Sequence, residues 1–249
     1  MRLEWMLALV LLTACASKGD ERASVSSGNK LSGQGRMNLG LAQGYLDANQ
    51  LEKASDRADM ALASDPGSAD VHAMLAMIHS RNGKLDKAER EFDRALKIAP
   101  ADGSILNAHA SWLCQRGQAA QADLEFVRAL QDRSYRWPFQ ALSNAGKCAH
   151  QTGQWSKAEG YFRRALEIAP QDPQVLLLLA DSELRQGNIM EAQAFIQRRD
   201  ALGSDAATLE LAARIEDAAG NRMAAARYRQ KLHDEFPGYV PPAQTVRSP

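Results

Sequence analysis

One interval governs this chain. Glycines fall at Gly83, Gly117, Gly153, Gly187 and Gly220, spaced by 34, 36, 34 and 33 residues, and Asn49 stands 34 residues before the first. Alanines recur five residues after each of these positions, at Ala54, Ala88, Ala122, Ala158, Ala192 and Ala225. Phe92, Phe126 and Phe162 come four residues later still, and Pro66, Pro100, Pro170 and Pro237 close units. Self-similarity at such a period means one supersecondary unit used repeatedly. Within a unit the pattern predicts two amphipathic helices. Over residues 69–102, Leu75, Ala76 and His79 share a face of the first, and Ala88, Phe92, Ala95 and Leu96 share a face of the second. Glycine, or asparagine as second choice, ends the first helix in a left-handed conformation. Proline after the second biases the preceding residue away from α. A single hairpin cannot bury its apolar face, so neighbouring units must stack.

Period and residue set together resemble the tetratricopeptide repeat (TPR) family. The resemblance covers about residues 35–237 and implies an all-α fold, a TPR superhelical solenoid of about six helix-turn-helix repeats. Three departures stand out. The linker from Asp132 to Pro138 is two residues longer than the period allows, with Pro138 suited to the first turn of a helix. Arg199 stands where alanine is expected. Arg229 replaces the aromatic, as suits a last repeat whose far side meets water.

The first 15 residues, MRLEWMLALVLLTAC, hold an apolar run from Met6 to Leu12, far short of the roughly 20 residues a span requires. Residues 1–14 read as a signal peptide. The ending Leu12-Thr13-Ala14-Cys15 resembles the lipobox of bacterial lipoproteins, which implies acylation of Cys15; an ordinary signal peptide with an incidental cysteine is the other reading. Two or more acyl chains anchor stably where one does not. Ala16, in place of aspartate, implies by the same resemblance the periplasmic face of the outer membrane. Residues 15–34 are Ser-, Gly- and Lys-rich and are expected to be a flexible tether with an r.m.s. reach of about 24 Å. Residues 238–249, with Pro241-Pro242 and no periodicity, are expected to be a disordered tail.

The 30 basic and 30 acidic residues balance, which argues against an electrostatic partner such as nucleic acid. The five histidines, His72, His79, His109, His150 and His233, form no HExxH and no ligand cluster, and no Gly-rich phosphate loop or GxSxG occurs. No catalytic constellation is present; neither an enzyme, a cofactor nor a metal is expected. Cys114 and Cys148 sit late in the first helices of neighbouring repeats, which lie side by side in a TPR array. Either they form a disulfide in the oxidising periplasm, or they are two small buried thiols that never meet.

In TPR proteins the first helices line a concave groove. Carried onto this chain, the groove positions include Leu39, Gln43, Leu46, Ala73, Met77, Asn107, Ser111, Ser143, Lys147, Leu177, Asp181 and Leu184. Leu39, Leu46, Ala73 and Met77 would form an apolar floor for a partner segment, unless Leu46 and Met77 simply pack between repeats. Lipobox, tether and repeats, with the segment Ser143-Asn144-Ala145-Gly146-Lys147-Cys148-Ala149 and its pairing with Cys114, resemble the type IV pilus biogenesis/stability lipoproteins of the PilF/PilW family. The resemblance implies a monomeric pilotin that binds the type IV pilus secretin and promotes its outer-membrane localisation and multimerisation. The alternative is a general periplasmic scaffold for peptidoglycan or envelope-assembly enzymes.

Overall fold

The computed structural model describes residues 31–240. The leader, Cys15, most of the tether and residues 241–249 lie outside the described residues. Twelve helices, and no strand, occur among them. They pair as six antiparallel hairpins: α1 (Gly33–Asp47) with α2 (Leu51–Ser64), α3 (Ala69–Arg81) with α4 (Leu85–Ile98), α5 (Gly103–Gln115) with α6 (Ala119–Gln131), α7 (Pro138–Gln151) with α8 (Trp155–Ile168), α9 (Pro173–Gln186) with α10 (Ile189–Asp200), and α11 (Ala206–Ala218) with α12 (Arg222–Glu235).

The periodic residues do what their chemistry suggests. Asn49, Gly83, Gly117, Gly153, Gly187 and Gly220 all have φ between 55° and 80°, the left-handed turn that starts each second helix. Asp102, Asp172 and Asp205 cap α5, α9 and α11, each side chain accepting from backbone N–H groups in the first turn. The recurrent alanines from Ala54 to Ala225 are fully buried, so paired helices approach closely, and Phe92, Phe126 and Phe162 are buried beside them. Odd-numbered helices also touch their odd neighbours while even-numbered ones do not, so the stack curves with the odd helices inside. The apolar core divides at α3. Val71, Met74, Leu75 and Ile78 pack with Ala42, Leu46, Ala54, Ala58 and Ala61, whereas Ala69, Ala73 and Ala76 open a second, longer cluster that runs to Ile215.

Four features were not foreseen. First, α1 starts at Gly33, inside the expected tether. Ser32 caps it, accepting from Gly35 N–H, and is itself held by Asp65, whose carboxylate accepts from Ser32 N–H (3.0 Å) and Oγ–H (2.9 Å). Second, Arg128 and Arg198 each donate to the carbonyl of the proline 28 residues earlier, Pro100 (2.7 Å) and Pro170 (2.8 Å), tying a hairpin to the loop that precedes it. Third, the long linker is ordered around Asp132, which accepts from Gly103 N–H (2.8 Å), Ser134 N–H (2.8 Å) and Ser134 Oγ–H (2.7 Å). Tyr135 lies against Gly103, where a Cβ would meet the tyrosine Cβ and Cγ at 2.7 Å. Burial, and then the charge of Asp102, push the Tyr135 hydroxyl pKa up to about 12. Fourth, Arg199 is buried and donates to Gly203 O (2.6 Å) and Asp205 Oδ2 (2.6 Å), which closes the α10–α11 loop where the first four hairpins place alanine. Arg229 meets water as expected and pairs with Asp217.

Candidate protein-interaction surfaces

The odd helices supply the concave face, and the expected groove positions divide by burial. Leu46 and Ala73 are each only 4% exposed, Leu46 in the first apolar cluster and Ala73 in the second. Leu39 and Met77 are half-buried against the same packing. The expected apolar floor is therefore closed at Leu46 and Ala73 and only partly accessible at Leu39 and Met77, and these side chains pack into the apolar clusters between hairpins. Gln43 is half-buried and donates to Asp47 Oδ1 (2.7 Å).

The middle of the face is polar. Asn107 accepts from Asn144 Nδ2 (3.2 Å) across α5 and α7, and Ser111 Oγ donates to the Asn107 carbonyl (2.8 Å). Asn107 and Ser143 are buried, while Ser111 and Lys147 remain partly accessible. Farther along, Leu177 and Leu184 are half-buried. Asp181 gathers His150 Nε2 (2.9 Å), Arg185 (3.4 Å) and Arg214 (3.5 Å). Burial raises the Asp181 pKa, but the His150 hydrogen bond and the charges of Arg185 and Arg214 outweigh it and hold the carboxyl below its ordinary value. Sequence reasoning found Asp181 but not Asn144, Arg185 or Arg214, because an isolated polar residue on a helix carries no sign of which neighbour it will face.

The two cysteines lie near the ends of α5 and α7 side by side, Cα atoms 5.8 Å apart and sulfurs in contact. Two histidines bridge the helices of their own hairpins. His72 pairs with Glu91 and His109 with Glu125, each at 2.7 Å and each within one hairpin. His79 is half-buried, and burial, then Lys87, lower its pKa, so it packs as a neutral ring. No group of His, Cys, Asp and Glu among the described residues is arranged to hold a metal ion. No helix among them is long and apolar enough to cross a membrane. What the array offers is side-chain surface suited to binding other molecules.

Comparison with known proteins agrees with that geometry. Two tetratricopeptide repeat family models match the chain, one over residues 45–112 and 149–215, the other over 113–173. The type IV pilus assembly protein PilF of Pseudomonas aeruginosa is 27% identical over 234 residues, covering 93% of this chain and 92% of PilF. Among solved structures, PilW, described as a widely conserved type IV pilus biogenesis factor, superposes with a TM-score of 0.76 at 29% identity, covering 84% of this chain and 96% of PilW. Solved P. aeruginosa PilF gives 0.72 at 26% identity, covering 83% and 93%. This chain belongs to the tetratricopeptide repeat family, and PilF and PilW, which it matches along most of its length, are a type IV pilus assembly protein and a type IV pilus biogenesis factor.

Proposed function

We propose that this protein is an outer-membrane lipoprotein acting as a pilotin: it binds the type IV pilus secretin, carries its subunits to the outer membrane and promotes their multimerisation there. One observation carries the reading. The chain matches PilF and PilW over nearly the whole repeat array, and the same chain carries a segment that resembles a signal peptide with a lipobox, Leu12-Thr13-Ala14-Cys15. The mechanism needs no covalent chemistry. A lipid on Cys15 holds the array at the periplasmic face of the outer membrane, and each bound secretin subunit gains a high effective concentration of its neighbours at that surface. The binding region proposed is the concave face, from Gln43 through Asn107, Ser111 and Asn144 to Lys147. Cys114 and Cys148 are proposed to be oxidised, closing 34 residues around the polar centre of that face.

The test is a Cys15→Ala exchange together with recovery of bound proteins from an envelope extract. Loss of outer-membrane secretin multimers, with a secretin as the dominant captured protein, is the expected result. Normal multimer levels in the Cys15→Ala strain would sink the mechanism, and capture of peptidoglycan synthases or hydrolases instead would favour a general periplasmic scaffold.

A further inference from the structure

The antiparallel hairpins all stack in one direction, so the starts of the odd helices and the loops leading into them line a single edge. Ser32 sits on that edge, clasped by Asp65 of the α2–α3 loop. The chain that leads back to Cys15, 17 residues earlier, leaves the fold there. The same edge carries the two-residue insertion. Its Trp137 is 53% exposed and meets the Tyr135 ring edge-on at 6.3 Å, and Arg133 and Arg136 flank it in solvent with no ion pair among the described residues. Ile168, Leu202 and Val240 are exposed along this edge as well.

The edge carries both signs of charge, with Glu167, Asp234 and Glu235 exposed at the ends of α8 and α12. Asp132, Asp172 and Asp205 spend their carboxylates on the first backbone N–H groups of α5, α9 and α11, and Asp65 on Ser32. Arg133 and Arg136 have no such partner among the described residues. An amphipathic indole near two exposed guanidiniums is the chemistry of a bilayer interface, where tryptophan prefers the headgroup level and arginine meets anionic lipid. The opposite edge also exposes apolar side chains, Leu85, Met190 and Met223, but its tryptophan, Trp155, is half-buried under Arg185, and it lies away from the chain that leads to Cys15.

We propose that this loop edge docks on the membrane, with Trp137, Arg133 and Arg136 seated among the headgroups of an anionic phospholipid surface. Docking would orient the solenoid, so that the stack lies along the bilayer with its concave face open sideways to partners. The inference rests on the lipid anchor proposed above.

The experiment uses the lipidated full-length protein on phosphatidylethanolamine–phosphatidylglycerol vesicles, some carrying brominated acyl chains. Flotation reports the anchor, and tryptophan quenching reports the docking. The wild-type protein is expected to float, and brominated lipid is expected to quench its emission at least twofold more than that of Trp137→Phe, since Trp112 is buried and Trp155 half-buried. Arg133→Ala and Arg136→Ala should each weaken docking about fivefold without releasing the protein from the vesicle. If the protein floats but Trp137 stays as open to aqueous iodide as in vesicle-free protein, docking is overturned and the anchor stands. If Trp137 becomes protected only when an envelope protein is added, the edge is a protein-binding surface and the membrane proposal falls. A wild-type protein that does not float removes the anchor and the docking together.

Discussion

At one register, seven residues before each turn, the first helices carry Ala42, Ala76, Ala110, Ala180 and Ala213, but the fourth hairpin has Gly146. A Cβ on Gly146 would lie 2.4, 2.5 and 3.0 Å from three ring carbons of Phe162, against about 3.5–4.0 Å for an ordinary carbon contact. Phe162 is fully buried, so the ring has nowhere to retreat and must shift by about 1 Å into packed neighbours. Two effects oppose each other in Gly146→Ala. Alanine is the better helix former by about 1 kcal/mol. Overpacking costs about 1–3 kcal/mol, and contact with three ring atoms of an immobile side chain puts this site at the upper end. The net expectation is a loss of about 1–2 kcal/mol, read as a lower urea midpoint at unchanged slope in far-UV circular dichroism. Phe162→Leu alone should cost about 1–2 kcal/mol. Combined with Gly146→Ala it should cost less than the sum, with a favourable coupling of at least about 1 kcal/mol. A Gly146→Ala protein as stable as wild type, or more so, would refute the reasoning, because propensity alone would then have decided the outcome.

Reducing the proposed Cys114–Cys148 bond, or replacing both cysteines by serine, should lower stability by roughly 3–4 kcal/mol in the chain-entropy model for a 34-residue loop, with thermal melting as the assay and intact mass confirming the two lost hydrogens in the native protein. Asp181→Asn should destabilise by roughly 2 kcal/mol at pH 7, because three cationic or donor groups lose the charge and one oxygen of their shared carboxylate. The Asp181 pKa is depressed in the fold, so its contribution is present above about pH 4 and fades as pH falls further; urea titrations should find variant and wild type converging in that acid range. Arg199→Ala should cost about 2 kcal/mol and speed amide exchange in the α10–α11 loop first, since both its Gly203 and Asp205 partners lie there.

The fold was legible because it is periodic: six turn residues in phase fix the hairpins, and the alanine and phenylalanine positions fix which faces meet. The groove was less so. Leu46 and Ala73 occupy positions that a regular array offers to a partner, yet neighbouring odd helices close over them, and that closure depends on the curvature of the whole stack. Polar pairs with a buried member were also out of reach. His72 with Glu91, and Arg163 with the fully buried Glu183, read in the chain as ordinary surface residues, and only the stacked structure shows them facing each other. Arg199 is instructive in another way. Its departure from alanine was visible, but its purpose lay in Asp205, six residues on across a loop whose path no periodicity describes.

The division of the core at α3 has a mechanical side. A pull on the segment before Ser32 would enter the fold at the Asp65 clasp, beside the smaller apolar cluster, which is filled by alanine where later hairpins have phenylalanine. The α1–α2 hairpin would peel first. Its 32 residues from Gly33 to Ser64 would release about 110 Å of extended chain, while the cluster from Ala69 to Ile215 kept its packing. A body fastened at its beginning and gripping something farther along would therefore yield by a set length before it slackened its hold.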